Sequence, residues 1–266
     1  MKIMQPYVQN YTLDYQNINV SNSNICEYYE FKEKENTKII NAVPDGCVDL
    51  MYAISKNGVK CYLGGTVLKL KYWPFEENST YFGVRFLPGQ EILPKNVSIE
   101  DIVNTDIELP VDCYGVNLED ELYKAKDMRE RATLMHQIFL KQSCLHTNSK
   151  RSIELYIRKR IYETKGTVSI KTISKETGYS QCYVRRIFHE LHGISPKIFE
   201  KIIRFQNVLE RMSLNRDLSI YELAQESGYY DQSHMLKEFK QYMGMTPELY
   251  KKCLQQKKAK EKGDII

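Results

Sequence analysis

The feature that most constrains this chain is an internal repeat in its second half. Ser169–Tyr179 shares serine, isoleucine, glutamate, glycine and tyrosine positions with Ser219–Tyr229, which lies 50 residues later. Downstream the offset becomes 51, and the paired residues are Phe188 with Phe239, Gly193 with Gly244, Ser195 with Thr246, Pro196 with Pro247 and Phe199 with Tyr250. This repetition predicts two copies of one small supersecondary unit, the second with one extra residue near its later helix.

Each copy has the local chemistry of two short helices joined by a tight turn. Ser169 and Ser219 are suited to cap a first helix, because a serine hydroxyl accepts a hydrogen bond from the unpaired N–H groups at a helix start. Gly178 and Gly228 then end that helix, because the residue after the last turn often takes a left-handed conformation that glycine adopts cheaply. A second helix with a polar, basic outer face follows at once. The pattern predicts two helix-turn-helix units.

One continuous helix is predicted between the two copies. From Pro196 to Leu214 apolar residues recur in steps of three and four, at Ile198, Ile202, Phe205, Leu209 and Met212. Ser195 is placed to cap this helix and Pro196 to occupy its first turn. At ~1.5 Å per residue the helix would be a rigid spacer of roughly 25 Å. Such a spacer could hold two recognition helices near the ~34 Å separation of successive major grooves.

The net charge of +4 hides an asymmetry between the two halves. Residues 1–149 contain 15 Lys and Arg against 20 Asp and Glu, whereas residues 150–266 contain 23 against 14. A basic half joined to an acidic half is typical of a protein in which one domain meets a polyanion. Chance variation in surface charge is the alternative, and part of the excess lies in the lysine run from Lys251 to Lys262.

The first half of the chain has a pattern typical of short β-strands. Five segments rich in β-branched and aromatic residues are separated by turn signals such as Pro44-Asp45-Gly46 and Pro88-Gly89. The segments are Thr37–Val43, Cys47–Ile54, Val59–Leu63, Val67–Trp73 and Thr80–Leu87. They predict a mainly antiparallel β domain, like a barrel or sandwich, and an apolar stripe from Leu118 to Leu140 predicts a helix after it.

The expected organisation is therefore two domains and a tail. Residues 1–148 form a β-rich domain for sensing or dimerisation, and residues 149–254 form an all-α DNA-binding domain with two helix-turn-helix units joined by a long helix. Residues 255–266 form a lysine-rich tail. We expect a cytoplasmic protein, because no apolar run is long enough to span a bilayer and the start lacks the apolar stretch of a signal peptide.

Enzyme, metal and cofactor functions find no support in the sequence. Seven cysteines with no Cys-x-x-Cys pair argue against a disulfide framework or a structural zinc site. There is no Gly-x-Ser-x-Gly, Walker loop, Gly-x-Gly-x-x-Gly or His-Glu-x-x-His. Pro44-Asp45-Gly46-Cys47 places an acid beside a thiol, but Asp-Gly is better explained as turn chemistry. We expect no enzyme, no metal and no cofactor.

The segment from about Ile153 to Lys252 resembles the DNA-binding domain of the AraC family of bacterial transcription regulators. Two matched motifs carry the resemblance, Gly178-Tyr179-Ser180 with Gly193-Ile194-Ser195-Pro196, and Gly228-Tyr229 with Gly244-Met245-Thr246-Pro247. Val43–Leu50 and Gly83–Gly89 look like parts of the β-rich N-terminal domain of one AraC-like branch. The resemblance implies a promoter-binding regulator, more often an activator, with double-stranded promoter DNA and RNA polymerase as partners.

Eight outward positions on the two second helices are the expected base contacts. They are Gln181, Cys182, Arg185, Arg186, Gln232, Ser233, His234 and Lys237. Arg185 is the main candidate, because a guanidinium can donate twice to O6 and N7 of guanine. Gln181 could pair with adenine or hold a phosphate, and Cys182 could contact a thymine methyl group or have no role. Lys237 is a point charge where arginine is common in the family, so we expect it to discriminate bases less well.

The alternative for Arg185 and Arg186 is a generic basic face that contacts phosphates only. Most of the affinity should come from contacts with phosphates, for which the candidates are Arg158, Lys159, Lys171, Ser180, Lys197, Lys201, Arg204 and Lys240, with Arg160 as a further member. Some of these are expected to be solvated surface charges. Asp231 should cap its helix, because a carboxylate repels phosphate.

An effector site in the β domain would draw on neighbouring aromatic residues and one arginine. The candidates are Tyr72, Trp73, Tyr81, Phe82, Arg85 and Phe86, with ordinary core packing as the favoured alternative. Arg85 could recognise an anionic ligand or form an ion pair with Asp45 or Asp49. A thiol sensor at Cys47, Cys61 or Cys113 has weaker support, because no basic cluster flanks them. The helix from Leu118 to Leu140 could mediate dimerisation or cover the sheet.

The sequence therefore predicts a sequence-specific DNA-binding transcription regulator. Its N-terminal domain would sense an unknown small-molecule effector, form a homodimer, or do both, and no membrane is involved. The main alternative is an effector-independent regulator whose N-terminal domain is only a protein–protein module. A second alternative is an architectural or RNA-binding protein that uses its basic half without sequence preference.

Overall fold

The computed structural model describes residues 3–21, 24–33, 39–76, 78–143, 149–215 and 217–263. Residues 37 and 38 of the first predicted strand, residues 144–148 at the predicted domain boundary and the last three residues of the predicted tail lie outside the described residues. Within the described ranges, every helix is too short or too polar to cross a membrane.

The N-terminal half is built on an antiparallel β-sheet, as the sequence predicts. The strands are β1 (Leu13–Asn19), β2 (Ile25–Lys32), β3 (Ile39–Ala42), β4 (Val48–Ser55), β5 (Gly58–Gly64), β6 (Lys71–Pro74), β7 (Thr80–Phe86) and β8 (Asp106–Leu109). Six of them form one sheet in the order β1-β2-β7-β4-β5-β8, and β3 pairs with β6 in a second, smaller sheet. The five predicted segments correspond to β3–β7, with the fourth shortened. β1, β2 and β8 were not predicted.

The two faces of the six-stranded sheet have different neighbours, because successive side chains of a strand point to opposite sides. Phe82, Val84 and Phe86 of β7 belong to the core beneath two helices, α2 (Leu118–Lys124) and α3 (Met128–Ser143). Thus the predicted helix from Leu118 to Leu140 is two helices that cover the sheet. The Phe139 ring of α3, for example, lies 5.2 Å from the Phe86 ring, centroid to centroid.

The C-terminal half is helical, as predicted. After the short N-terminal helix α1 (Pro6–Tyr11), the remaining helices are α4 (Ser149–Glu163), α5 (Ile170–Thr177), α6 (Gln181–His192), α7 (Pro196–Leu214), α8 (Ile220–Glu226), α9 (Gln232–Met243) and α10 (Pro247–Gly263). The pairs α5–α6 and α8–α9 are the two predicted helix-turn-helix units, and α7 joins them. The described part of the lysine-rich tail continues α10.

The predicted serine caps are present in both units, whereas α8 has Ser227 as its C-cap and the predicted Gly228 follows it with a left-handed φ of 74°. The side chains of Ser169 and Ser219 accept hydrogen bonds from the backbone N–H groups three residues on, and Ser219 completes a capping box with Glu222. Ser195 caps α7 in the same way. Gly178 takes the predicted left-handed conformation, with φ of 73°. These local signals therefore set where the helices begin and end.

α7 is a core element of both units as well as their connection. Its first half contributes Phe199, Ile202 and Ile203 to the core of the first unit. Its second half contributes Phe205 and Leu209, among others, to the core of the second unit. Because the 19-residue helix is buried from both sides, each unit packs on a different half of the same rod.

The N-terminal segment and the β domain pack directly against the helical half. The buried amide of Gln206 on α7 is the clearest link: its Oε1 accepts from Met4 N at 2.8 Å, and its Nε2 donates to Met4 O at 3.2 Å and to Pro44 O at 2.8 Å. Gln5, the next residue, donates to Val43 O and to Asp45 Oδ2, both at 2.8 Å. The predicted boundary at residue 148 therefore separates two regions in sequence that share extensive contacts in space.

Glu91 provides a test of this interface. Burial raises the pKa of Glu91 to about 7, with Glu154 adding to the rise while Arg151 and Arg158 oppose it. Its Oε2 is buried with no hydrogen-bond partner among the described residues. Since the folded protein holds this proton more tightly than the unfolded chain, the contribution of Glu91 to stability is lost as pH rises from about 4.5 towards 7.

We expect Glu91→Gln to be more stable than the wild type at pH 8 by about 1–2 kcal/mol, because the amide does not ionise. The difference should vanish near pH 5, where the wild-type side chain is protonated. Urea unfolding at both pH values measures this, with exposed Glu108→Gln as the control. An equal effect of Glu91→Gln at both pH values would contradict the interpretation.

Candidate nucleic-acid interface

The first recognition helix, α6, separates a buried face from a polar one. Val184, Ile187 and Phe188 are fully buried, as the spacing predicts. The four predicted base contacts on this helix are all exposed, namely Gln181, Cys182, Arg185 and Arg186. Ser180 caps the helix by accepting from Tyr183 N at 3.2 Å. The capped end therefore presents its polar side chains to solvent.

The two arginines of α6 have neighbours that leave them available at the surface. Arg185 Nη2 donates to Gln181 Oε1 at 3.2 Å, one turn earlier. The guanidinium carbon of Arg186 lies 5.1 Å from the centroid of the Tyr183 ring. Neither contact involves a carboxylate, so both guanidinium groups keep their positive charge directed outward. This arrangement is suited to meeting a polyanion.

The second recognition helix, α9, repeats the arrangement. Met235 and Phe239 are fully buried, and Asp231 caps the helix by accepting from His234 N at 2.7 Å, as predicted. The predicted contacts on this helix, Gln232, Ser233, His234, Lys237 and Lys240, are all exposed. The described residues contain no cluster of His, Cys, Asp and Glu that could hold a metal ion. The equivalent halves of α6 and α9 are thus both open to solvent.

Most of the predicted phosphate contacts are also at the surface. Lys159, Lys171, Ser180, Lys197 and Lys240 are exposed, and Lys201 is half-buried. Two of them have carboxylate partners: Lys197 Nζ lies 3.1 Å from Glu200 Oε2, and Lys159 Nζ lies 3.8 Å from Glu163 Oε1. Arg160 is held by Glu176 and Glu163, with N–O distances of 2.7 and 3.1 Å.

Arg158 and Arg204 do not lie on this surface. Arg158 is buried, and its Nε donates to Glu154 Oε1 at 2.7 Å. Arg204 is buried as well, donates to Gly166 O at 3.0 Å and lies 5.3 Å from the centroid of the Tyr229 ring. A phosphate could reach neither guanidinium group without opening the core. Arg158 and Arg204 are therefore removed from the predicted phosphate contacts. Counting basic residues in the sequence cannot separate buried from exposed ones.

Exposed tyrosines at the two turns are a feature that the sequence did not predict. Tyr230 immediately precedes the capping residue of α9 and is 94% exposed. Tyr179, at the equivalent turn of the first unit, is exposed and stacks on Tyr183 with 4.9 Å between ring centroids. A tyrosine hydroxyl can donate to a phosphate oxygen, so both belong to the candidate surface. The repeated Gly-Tyr pair points to Tyr179, whereas its counterpart in the second unit, Tyr229, is buried and the next residue, Tyr230, is exposed.

A second candidate site is a small cavity in the β domain. It lies on the face of the six-stranded sheet opposite to the one covered by α2 and α3. It has a volume of about 70 Å³, enough for a few waters or a small ligand, and its walls include Trp73, Arg85, Tyr29, Tyr62 and Lys71. The six predicted effector residues are not brought together, however. Only Trp73 and Arg85 line this cavity, and Tyr81 packs behind it with its ring 5.3 Å from that of Trp73.

The other three predicted pocket residues lie elsewhere. Phe82 and Phe86 belong to the core on the opposite face of the sheet, because they alternate with Tyr81 and Arg85 along β7. Tyr72 points outward and is 66% exposed. For these residues the core or surface interpretation replaces the effector interpretation.

Arg85 forms the predicted ion pair with aspartate and one more with glutamate. Its Nε and Nη2 donate to the two carboxylate oxygens of Asp49 at 2.9 and 3.2 Å, and its Nη1 donates to Glu27 Oε1 at 2.7 Å. Asp45 Oδ2 is farther, at 3.8 Å from Nε. Burial raises the pKa of Asp49 to about 6. Arg85 is therefore already satisfied, which argues against a role as a free anion receptor.

Two of the three candidate cysteines, Cys47 and Cys61, give no support to a thiol sensor. Burial holds the pKa of the Cys47 thiol well above its usual range. The hydrogen bond between Cys61 and Cys113 raises the pKa of Cys61 and lowers that of Cys113. The thiols of Cys47 and Cys61 are therefore protonated at neutral pH, and a protonated thiol is a poor nucleophile.

Comparison with known proteins places the C-terminal half in a defined class. A family model described as a helix-turn-helix domain, HTH_18, matches residues 173–252. The HTH-type transcriptional regulator ExsA of Pseudomonas aeruginosa is 29% identical over 80 residues, which are 29% of this chain and 28% of that protein. The matched region spans less than a third of that relative, so the likeness concerns the helix-turn-helix domain alone.

Solved structures to which this chain is similar include three proteins. The C-terminal domain of AraT, a response regulator from Geobacillus stearothermophilus, is 24% identical and covers 40% of this chain and 86% of its own, with a TM-score of 0.35. The DNA-binding domain of AdpA in complex with a target DNA is 17% identical, at 39% and 94% coverage and a TM-score of 0.37. ToxT from Vibrio cholerae is 12% identical, at 89% and 97% coverage and a TM-score of 0.43.

The matched residues and the duplicated helix pairs define a helix-turn-helix DNA-binding domain. More specifically, this C-terminal domain is of the AraC type, which confirms the resemblance seen in the sequence.

We expect Arg204→Ala to lower the free energy of unfolding by about 2 kcal/mol, because it removes a buried hydrogen bond and the packing over Tyr229. Lys240→Ala, which truncates an exposed side chain, should change stability by less than about 0.5 kcal/mol. Urea unfolding of both variants measures the contrast. If the two variants have equal free energies of unfolding, the interpretation of Arg204 as a buried structural residue is wrong.

Proposed function

We propose that this protein is a sequence-specific DNA-binding transcription regulator that places α6 and α9 in successive major grooves of one duplex. The observation that carries the proposal is the pair of equivalent helices, each with a polar, exposed face along its capped N-terminal half. In helix-turn-helix proteins that part of the second helix contacts base edges.

The connecting helix has a suitable length for this arrangement. The 19 residues of α7 span about 28 Å at 1.5 Å per residue. Because both units pack on it, α7 holds them together as a pair. That length is comparable with the ~34 Å between successive major grooves on one face of DNA.

The two units should contribute differently to specificity. Arg185 on α6 can make a bidentate contact with guanine, whereas Lys237 on α9 offers a single charged group. We therefore propose that the first unit sets the preferred sequence more strongly. Lys159, Lys171, Lys197, Lys240 and the turn tyrosines would contact the backbone and supply affinity without sequence preference.

Arg185→Ala should weaken binding to a preferred site by ~1–3 kcal/mol and relax preference at one base position. Lys240→Ala should weaken binding to every duplex alike and reduce the steepness of the log–log salt dependence by about 0.9. The preferred site is first selected from a random duplex library with the wild-type chain. Titrations of each variant on that site and on a scrambled duplex, at several salt concentrations, measure both effects.

Exposed Lys252→Ala, at the far end of the matched domain, is the control and should leave both titrations unchanged. If Arg185→Ala weakens binding to the preferred and scrambled duplexes equally, Arg185 contacts only phosphate. If the wild-type chain selects no sequence, the architectural alternative replaces the regulator.

We further propose that the β domain binds a small effector in the cavity beside Trp73, that the protein forms a homodimer, and that it activates transcription through RNA polymerase. The cavity and its mixed aromatic and polar walls support the effector site. Activation and the homodimer rest on the family resemblance alone. The alternative is an effector-independent regulator whose N-terminal half serves only protein contacts.

Trp73 is the only tryptophan in the chain, so its fluorescence reports directly on the proposed cavity. We expect small molecules extracted from natively purified protein to change Trp73 fluorescence when added back to ligand-stripped protein. Tyr72→Ala, which alters an exposed neighbour, is the control and should preserve the change. An extract with no such activity would favour the effector-independent alternative.

A further inference from the structure

The β domain contacts both helix-turn-helix units at the same point of the repeat. Gly193 and Gly244 are equivalent residues that cap the C-terminal ends of α6 and α9, with left-handed φ of 66° and 74°. Neither has room for a side chain. A β-carbon on Gly193 would lie 2.6 Å from Val103 Cγ2, and one on Gly244 would lie 2.5 Å from Leu70 Cδ2. One aliphatic side chain of the β domain therefore sits on the cap of each recognition helix.

Neighbouring contacts reinforce both points. Val103 packs against the core of the first unit, and Leu70 packs against the core of the second. Leu70 N also donates to Gln241 O at 3.4 Å. The hydroxyl of Tyr7, on the N-terminal helix, donates to Met243 O at 2.7 Å. The grip depends on shape and on backbone carbonyls, and at the first cap His189 Nδ1 of α6 also lies 3.4 Å from Glu100 Oε1 of the β domain.

The two gripping residues belong to one hydrogen-bonded part of the β domain. Asn104 N donates to Thr66 O at 2.8 Å, and Asn104 Oδ1 accepts from Leu68 N at 3.2 Å. Gly65 N donates to Thr105 O at 3.2 Å. Three hydrogen bonds thus tie residues 65–68 to residues 104 and 105. Leu70 and Val103 therefore lie beside one hydrogen-bonded part of the β domain.

The grip lies away from the surface proposed to meet DNA. It holds the C-terminal ends of α6 and α9, whereas the predicted base contacts occupy their N-terminal halves and are exposed. The β domain can therefore stay in place while both helices enter a groove. α7 fixes each unit along one side, and a second contact at the far end of each recognition helix removes the remaining freedom to rotate about α7.

We propose that the β domain sets the mutual position of the two recognition helices, with Leu70 and Val103 as its positioning residues. The proposal rests on the proposed DNA-binding function and adds a determinant of the accepted half-site spacing. Val67, Lys71 and Asp106 line the cavity beside Trp73, and each lies within three residues of Leu70 or Val103 in the sequence.

The geometry is tested first without DNA. Spin labels are attached at Lys175 and Gln225, equivalent exposed positions of α5 and α8, through an encoded ketone amino acid that avoids the native cysteines. We expect the inter-label distance distribution of Leu70→Ala/Val103→Ala to be about twofold broader than that of the wild type. The control is Leu93→Ala/Val97→Ala, the same pair of truncations at half-buried positions packed on the β-domain core.

The consequence for DNA is tested by selection from a random duplex library with the full chain. The wild type and the control should select two half-sites at one spacing. Leu70→Ala/Val103→Ala should keep both half-site sequences, accept spacings one or two base pairs longer or shorter, and bind the wild-type spacing about tenfold more weakly.

An unchanged distance distribution together with an unchanged spacing preference in the double variant would overturn the proposal and leave DNA binding intact. If the wild type selects no motif, the proposed function fails, and the distance measurement still decides whether the grip exists. If the double variant loses cooperative unfolding, the single variants Leu70→Ala and Val103→Ala are measured in the same way. Each should broaden the distribution, and no broadening in either would reject the grip.

Discussion

Burial of the middle of α7 from every side is the constraint on which the rest of the structure depends. Residues 202–209 are all buried, because the first unit, the second unit and the N-terminal segment each cover part of this helix. Where the N-terminal segment meets α7, the Gln206 side chain accepts a hydrogen bond from Met4 N and donates one to Pro44 O. A helix shared by three bodies cannot shift against one of them without disturbing the other two. The linker is therefore the structural centre of the molecule.

The duplicated helical half was predicted well because its signals are local. Capping residues and turn glycines affect only the few residues beside them in the sequence. Each of these signals also occurs twice, once in each copy of the repeat. The β domain was predicted less completely. β1 is exposed along nearly its whole length, so it lacks the alternation of apolar and polar residues by which a strand is recognised. β2 and β8 lie in segments where that alternation was also not identified.

The errors among site residues have a common origin in burial, which the sequence does not give directly. Arg158 and Arg204 look like surface cations until Glu154, Gly166 and Tyr229 are found around them. In β7 nearly every residue is buried, so both faces look like core and the sequence cannot tell which one borders the cavity. Only strand pairing and the helices covering one face separate Phe82 and Phe86 from Arg85.

The serial arrangement of the two units has a geometric consequence. A dimer with two-fold symmetry reads a palindrome and can sit on it in either of two equivalent orientations. Here the two recognition helices follow one another within one polypeptide. They differ in chemistry, because α6 carries Arg185 and α9 carries Lys237. A single copy bound in this way would have one defined orientation along the duplex. It could thus distinguish upstream from downstream without a second copy.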